Sequence, residues 1–285
     1  MNKLIVTGST GWFGTTFLYN GYKLFGNAFL TNNYFVGSHS REVSVPGINN
    51  KINIISIDQI KNIDDASYLV QGAFIARDKI YKMGEKEYLK AIKKILHYNE
   101  EIYKNNKNLK GSIMLSSGAV YHKNDLYSIL KLEEEDLYKS YNPKHLILRV
   151  FGATGNFIKE NNWSALSNFL ACLANNTNIK IKSKGSIKRS YVDFSDLSLF
   201  IIDHLSNCRE YENRTLDAVS FTTTVHEIAE FIASQGNIKV IYPKDFNNNY
   251  IENNYSSNSK SFLQIAKKRN LKIKGFREAI LESIS

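Results

Sequence analysis

Tyr127 and Lys131 stand four residues apart in the run Leu126-Tyr127-Ser128-Ile129-Leu130-Lys131-Leu132. On a helix, positions i and i+4 share a face. An ammonium held beside a phenol favours the phenolate, and so lowers a side-chain pKa that starts at about 10. A tyrosine tuned in this way can give and take a proton. A solvated pair on a surface helix has the same spacing, so the pair alone is a weak signal. Two companions strengthen it. Ser116-Ser117 closes an apolar run just upstream, and a glycine-rich turn follows the first apolar segment of the chain.

That turn reads Thr7-Gly8-Ser9-Thr10-Gly11-Trp12-Phe13-Gly14. Glycines at 8, 11 and 14 permit a tight turn, close approach of a pyrophosphate and close helix–strand contact. The helix start then offers free N–H groups and the positive end of its dipole. A glycine turn without a ligand is the plainer account. Its position between a strand and a helix favours a dinucleotide, with Thr7, Gly8, Thr10, Gly11, Trp12, Phe13 and Gly14 around it. The second strand ends Phe35-Val36-Gly37-Ser38-His39-Ser40-Arg41, and no acidic residue appears before Glu42. An NAD site usually places a carboxylate there for the ribose 2′-hydroxyl. Ser38 and Arg41 instead suit a 2′-phosphate. The expectation is NADP(H), with NAD(H) as the alternative. Asp58, after the third strand, suits either the adenine amino group or a helix N-cap.

These residues need a scaffold, and the first half of the chain supplies an alternating one. Lys3 to Thr7, Tyr34 to Gly37, Ile52 to Ile57, Ser112 to Ser116 and His145 to Val150 read as strands, and Tyr68 to Ile75 is another apolar run. Gly11 to Phe25, Glu85 to Tyr103 and Leu126 to Tyr138 read as helices. The alternation predicts an α/β fold, a Rossmann-type doubly wound parallel sheet with helices on both faces. The main boundary falls near Phe151: 1–150 for the dinucleotide, 151–285 mainly for substrate, with pieces near 190–220 returning to the sheet. In the second part, Trp163 to Ala174, Ser195 to Leu205 and Val225 to Ala233 look helical, and Ser261 to Ile284 looks helical in two pieces. Ile179 to Ile181 is a short strand. Lys182 to Arg189 and the asparagine-rich Tyr242 to Asn258 read as loops.

The chain has 285 residues and is 43% apolar, enough for a large core. No apolar span reaches membrane length, and the N-terminus does not read as a signal peptide. Cys172 and Cys208 are the only cysteines, which rules out a disulfide framework and makes a reducing cytoplasm the default. The net charge of +10 is spread through a background of lysine, asparagine and isoleucine. It reads as solubility, with no nucleic-acid motif behind it. The six histidines show no metal-ligand spacing and are expected at the surface or in caps. His122, in the short segment before Tyr127, is the one placed to bond a substrate. Glu133-Glu134-Glu135-Asp136 reads as a solvated helix face balancing nearby lysines.

Together the motifs resemble the extended short-chain dehydrogenase/reductase family, the nucleotide-sugar epimerases, dehydratases and reductases. Thr7 to Gly14 is similar to its cofactor turn. Ser116-Ser117-Gly118-Ala119-Val120-Tyr121 is similar to its active-site strand end, and Tyr127 with Lys131 to its Tyr-x-x-x-Lys pair. Leu148-Arg149 precedes its substrate loop, and Arg189-Ser190-Tyr191-Val192-Asp193 resembles its Arg-x-x-x-Val-x-Asp stretch. The resemblance implies hydride transfer between a nicotinamide and a sugar carbon. Tyr127 would be the proton donor or acceptor, Lys131 would tune it and hold the ribose, and Ser117 would bond the carbonyl oxygen. Ser116 and His122 would lie against substrate, Arg189 would meet the diphosphate, and Trp163 or Tyr191 would pack on a base or sugar or simply fill core. It also implies a homodimer through the helices Glu85–Tyr103 and Leu126–Tyr138.

Departures narrow the choice. Gly118 and Ala119 stand where dehydratases of the family carry an Asp-Glu pair, which argues against dehydration. Only ten positions separate Ser117 from Tyr127, a short form similar to 4-ketosugar reductases of the CDP-paratose-synthase type. Gly152 stands where the family has Asn, and the long helix shows no match to the family's structural Asn. The expected function is therefore NADP(H)-dependent reduction of a nucleotide-linked 4-ketosugar. An epimerase with tightly held NAD is the alternative, and a redox-silent dinucleotide sensor is the alternative of another class.

Overall fold

The computed structural model describes residues 3–107, 109–141, 144–158, 164–207 and 214–284. They form two compact units, Met1–Arg149 with Ser198–Leu216, and Val150–Leu197 with Asp217–Ser285. The first part of the chain runs β1 (Leu4–Thr7), α1 (Trp12–Phe25), α2 (Asn27–Thr31), β2 (Tyr34–Gly37), β3 (Arg41–Val43), β4 (Ile52–Ser56), β5 (Tyr68–Gln71), α3 (Lys79–Met83), α4 (Glu85–Asn105), β6 (Gly111–Ser117), α5 (Leu126–Tyr141) and β7 (His145–Val150). There follow β8 (Ala153–Thr154), α6 (Ala165–Ala174), β9 (Ile179–Lys180), β10 (Gly185–Asp193), α7 (Phe194–Ser206), β11 (Arg214–Ala218), β12 (Phe221–Thr224), α8 (Val225–Ala233), β13 (Val240–Ile241), β14 (Asn247–Tyr255), α9 (Ser261–Lys268) and α10 (Phe276–Ile284).

Eight strands form one sheet in the order β11-β7-β6-β5-β1-β2-β4-β3. The run from β4 through β2, β1 and β5 to β6 is parallel, and β3 adds antiparallel at the edge. Every residue of β1 and β5 is buried, as a sheet covered on both faces requires. The chain winds one way from β1 to β2 and the other way to β5. Such a switch point leaves a crevice at the carboxyl ends of the strands. Thr7 ends β1 at that point and Gln71 ends β5 beside it, paired in register. The core beneath includes Ile5, Val36, Leu69, Met114 and Ile147, with Ile102 of α4 and Tyr138 of α5 packed on it.

The second unit centres on β10, which pairs antiparallel with β12 and parallel with β14. Leu166, Phe169, Tyr191, Ile228, Ile232 and Ile280 make its core. A capping box between Thr224 and Glu227 starts α8, a device worth about 1 kcal/mol.

Two loop assignments are corrected here. Lys182 to Arg189 is strand from Gly185 onward, and Tyr242 to Asn258 contains β14. Both are polar, and β14 is exposed along nearly its whole length. Their pairing comes from chain remote in sequence, which local composition does not register. No helix among the described residues is long and apolar enough to cross a membrane.

Candidate active site

The glycine turn is built as a cradle. Gly8 has φ +73°, a conformation that side chains other than glycine's rarely adopt. A Cβ at Gly8 would lie 2.6 Å from the Gly72 carbonyl, and one at Gly14 only 2.3 Å from the Gly8 oxygen. Ser9, which the sequence reading passed over, braces the turn from beneath. Its Oγ donates to the Val6 carbonyl at 2.7 Å and accepts from the Val36 N–H at 3.2 Å. Thr7 Oγ1 accepts from the Gly72 and Ala73 amides and ties the turn to the end of β5. Helix α1 opens at Gly11 with no side-chain cap and no acidic residue in its first turn, so it presents an uncapped positive dipole end. Thr10 lies against Gly37. Phe13 is a core residue whose ring meets Phe17 at 5.8 Å, so only its backbone is available to a ligand. Gly14→Ala is expected to cost about 1–3 kcal/mol by overpacking, read as a fall in midpoint in thermal unfolding.

At the end of β2, Ser38 and Arg41 are exposed. Ser38 accepts at its carbonyl from Ser56 Oγ at 3.3 Å. Arg41 is the first residue of β3, opposite Ile54. It pairs with no carboxylate among the described residues, whereas neighbouring Glu42 is paired with Lys51 at 3.2 Å. Asp58 lies in the first turn of a 3-10 helix, Ile57–Asn62, whose N-cap is Ser56. The N-cap reading of Asp58 is thereby corrected. A bond from Ser56 keeps its carboxyl below the usual range.

Strand β6 delivers Ser117, and α5 carries Tyr127 and Lys131 one helical turn apart. Ser117 caps a 3-10 turn, accepting from the Ala119 N–H at 3.2 Å. It also hydrogen-bonds the Tyr127 hydroxyl. Phe74 meets the Tyr127 ring edge-on at 5.7 Å, and the Arg77 guanidinium lies 5.1 Å from its centre. The structure thus brings together the serine and the phenol the sequence singled out.

The tuning differs from expectation. Lys131 is almost fully buried and its ammonium is engaged elsewhere. It donates to Glu134 Oε2 at 2.7 Å and to the Leu115 carbonyl at 2.9 Å, with the Phe74 ring centre 4.0 Å away. Burial pushes the Tyr127 phenol up, the Ser117 bond and Arg77 pull it down, and Glu134 and Asp125 push it up. The phenol stands above its ordinary range chiefly because it is buried, and the Glu134 and Asp125 carboxylates add to the rise.

The acidic tetrad is therefore also corrected. Glu134 is 1% exposed and Glu135 fully buried. Arg149 grips Glu135 through two bonds, 2.9 and 2.7 Å, and Ser116 Oγ donates to it at 2.6 Å. Burial opposes ionisation of Glu135, but these bonds outweigh it and hold the carboxyl below the usual range. Ser116, expected against substrate, is instead part of this strut between β6, α5 and β7. The signal was present in the sequence: Leu130, Glu134 and Tyr138 follow at intervals of four, placing Glu134 on the buried stripe.

His122 follows the 3-10 turn at the exposed surface, its N–H bonded to the Ala119 carbonyl at 3.0 Å. His145 and His204 are buried and not at the surface; His204 lies in the last turn of α7, within the cap alternative expected of it. No group of described residues has the makings of a metal site. Trp163 lies outside the described residues.

In the second unit, Arg189 sits on β10 opposite Thr223 and Tyr255. Its Nη1 donates to Asn253 Oδ1 at 2.7 Å and the Lys188 carbonyl at 2.9 Å. Burial pulls its pKa down, and no carboxylate among the described residues pairs with it. A Cβ at Gly152 would meet the Tyr191 ring at 2.8 Å, so packing accounts for glycine there. Tyr191 itself stacks on Phe221 inside the core.

No family model matches the sequence, and no curated protein matches it. Solved structures do match in fold. A UDP-N-acetylglucosamine 4-epimerase from Methanobrevibacter ruminantium superposes with a TM-score of 0.71 at 18% identity, covering 99% of this chain and 97% of its own. A UDP-glucuronic acid 4-epimerase from Bacillus cereus, in complex with UDP-glucuronic acid and NAD, gives 0.72 at 14% identity, with 99% and 98% covered. TunA, an NAD-dependent NDP-hexosamine 5,6-dehydratase, gives 0.73 at 12% identity, with 99% and 96% covered. The chain has the Rossmann-type fold of these nucleotide-sugar epimerases and dehydratases.

Proposed function

We propose that this chain is a nicotinamide-dinucleotide-dependent enzyme that modifies a nucleotide-linked sugar, with Tyr127 as its proton-transfer group. The observation that carries this reading is the Ser117–Tyr127 hydrogen bond at the carboxyl end of β6, in a sheet whose first turn is a glycine cradle. Gly8 and Gly14 let the turn close tightly on Gly72 and Ser9, and α1 opens from it without a side-chain cap, so the residues present fit a pyrophosphate. Thr7, Gly8, Thr10, Gly11, Trp12 and Gly14, with the backbone of Phe13, would hold the dinucleotide, which supplies hydride exchange when bound. Ser117 orients a sugar carbonyl or hydroxyl oxygen by hydrogen bond. Tyr127 gives its phenolic proton to that oxygen or takes one from it. Arg189, a half-buried cation with no carboxylate partner among the described residues, would take a diphosphate as counter-charge.

Two redox outcomes follow, each with its own support. Epimerisation with retained NAD is favoured by the structural neighbours, two of the three described above being 4-epimerases. Reduction with exchangeable NADPH is favoured by Arg41, which pairs with no carboxylate among the described residues, and by the engagement of neighbouring Glu42 with Lys51. Gly118 and Ala119, both buried on the 3-10 turn, offer no acid/base pair for dehydration. A homodimer through α4 and α5 and a cytoplasmic setting belong to the same proposal. The test is mass spectrometry of dinucleotide released from the purified chain, followed by product NMR on a panel of UDP-linked sugars and ketosugars. Retained NAD with epimerised product supports the first outcome, and NADPH-dependent reduction supports the second. Failure to bind either dinucleotide overturns both.

A further inference from the structure

Glu134 is a buried carboxylate with no part in the chemistry just described, yet both of its oxygens accept short hydrogen bonds. Its Oε2 accepts from Lys131 at 2.7 Å, and its Oε1 accepts from Gln71 Nε2 at 2.6 Å. Gln71 is fixed in turn by Tyr103, whose hydroxyl donates to Gln71 Oε1 at 3.1 Å. That bond orients the amide so that its NH₂ faces the carboxylate. Gln71 ends β5, Tyr103 comes from α4, and Glu134 and Lys131 share α5. Three elements therefore converge to hold one ammonium against Phe74, the ring that also meets Tyr127.

The cost of this arrangement argues that it has a use. Burying an ion pair costs desolvation of both charges, and well-packed apolar residues of similar size are often at least as stable. Burial pushes the Glu134 carboxyl up, against the pull of Lys131 and Gln71. Lys131 spends its donors on Glu134 and the Leu115 carbonyl, and rests on the Phe74 ring.

We propose that Glu134 is a positioning residue that clamps the Lys131 ammonium to the end of β6 and offsets its charge, so that Tyr127 faces a neutral ion pair instead of a lone cation. Several other groups act on the phenol. Ser117 bonds its oxygen, Arg77 in the segment after β5 lies over its ring, and Asp125, before α5, pairs with Arg77 at 3.0 Å. Tyr88 of α4 lies near enough to couple to it and donates to the Ile75 carbonyl at 2.6 Å. Arg77 and Asp125 balance one another, and Glu134 and Lys131 balance one another. Burial keeps the proton on the phenol, and the two balanced pairs leave no lone cation to pull it off, so it stays in the form suited to donation.

Although the consequence for catalysis rests on the proposed function, the electrostatic claim does not, and the test separates them. Tyrosine ring carbon-13 NMR on the chain without cofactor follows the titration of Tyr127, assigned by its loss in Tyr127→Phe. Glu134→Gln leaves the ammonium uncompensated, and Tyr127 is expected to titrate at least about 1 pH unit lower than in the wild type. Glu134→Asp keeps the charge and restores the wild-type titration. The double variant Lys131→Met with Glu134→Gln removes both charges and is expected to leave it in place. Should Glu134→Gln not fold, the double variant decides: a shift of more than about 1 unit in either direction overturns the proposal. An unshifted Glu134→Gln overturns it too. If the shifts appear but no dinucleotide binds, the functional reading fails and the ion-pair assignment stands. If dinucleotide binds and turns over but nothing shifts, the reverse holds.

Discussion

Tyr127→Phe is expected to lower turnover by about 10²–10⁴-fold while leaving dinucleotide affinity near that of the parent chain. The magnitude is that of removing a positioned general acid. The substitution deletes only the hydroxyl, so the ring keeps its edge-on contact with Phe74 and its place under Arg77. Ser117 loses its phenolic partner but keeps the bond from the Ala119 amide. Kinetics on the substrate found by the panel, with binding followed by nicotinamide fluorescence, separate the two effects. A loss of affinity matching the loss of rate would mean that Tyr127 holds the dinucleotide and does not move the proton.

Lys274→Met is expected to destabilise the second unit by about 3–5 kcal/mol, the cost of leaving buried carboxylates without their cation. Lys274 Nζ donates to Asp193 at 3.0 Å, to Asp196 at 2.6 Å and to Glu282 at 2.9 Å. Asp193 is fully buried and Asp196 is 3% exposed. Asp193 also accepts from the Ser195 N–H and from Thr154 Oγ1, and Asp196 from the Lys274 N–H. One ammonium, carried just before α10, therefore ties the end of β10, the start of α7 and the last turn of α10. Burial alone would pull the Lys274 pKa down, but its three carboxylate partners outweigh burial and raise it. A cation raised on folding stabilises fully below its unfolded pKa of about 10.5. That contribution is lost as pH rises through the higher folded value. Urea unfolding at neutral pH measures the loss, and Asp193→Asn in the Lys274→Met background is expected to recover part of it. Unchanged stability in Lys274→Met would show that the carboxylates find water or each other instead.

Much of the scaffold was legible in the sequence for a physical reason: its strands and helices carry their own periodicity. Leu4–Thr7 and Tyr68–Gln71 are short apolar runs because both faces of the sheet are covered. The Tyr127–Lys131 spacing placed both residues on α5, and the glycines named their own turn. The polar strands β10 and β14 were not legible. Their residues mark neither a period nor an apolar face, and their partners lie tens of residues away. The partner of Lys131 was missed for a related reason. A run of four acidic residues reads as solvated unless its phase is tracked against Leu130 and Tyr138, which bracket Glu134 on the inward face. Ser116 was misread with it, since its acceptor is the equally hidden Glu135.

The most direct test of the central claim, that Ser117 and Tyr127 act on a sugar oxygen beside a nicotinamide, is label transfer in a single turnover. Dinucleotide deuterated at the reactive nicotinamide carbon is mixed with nucleotide-linked ketosugars, and the sugar is read by mass and NMR. The account predicts deuterium on one ring carbon with the wild-type chain, and little or none on the same timescale with Tyr127→Phe. Equal transfer by both proteins, or no transfer to any ketosugar of the panel from chain shown to hold the labelled reduced dinucleotide, would contradict it.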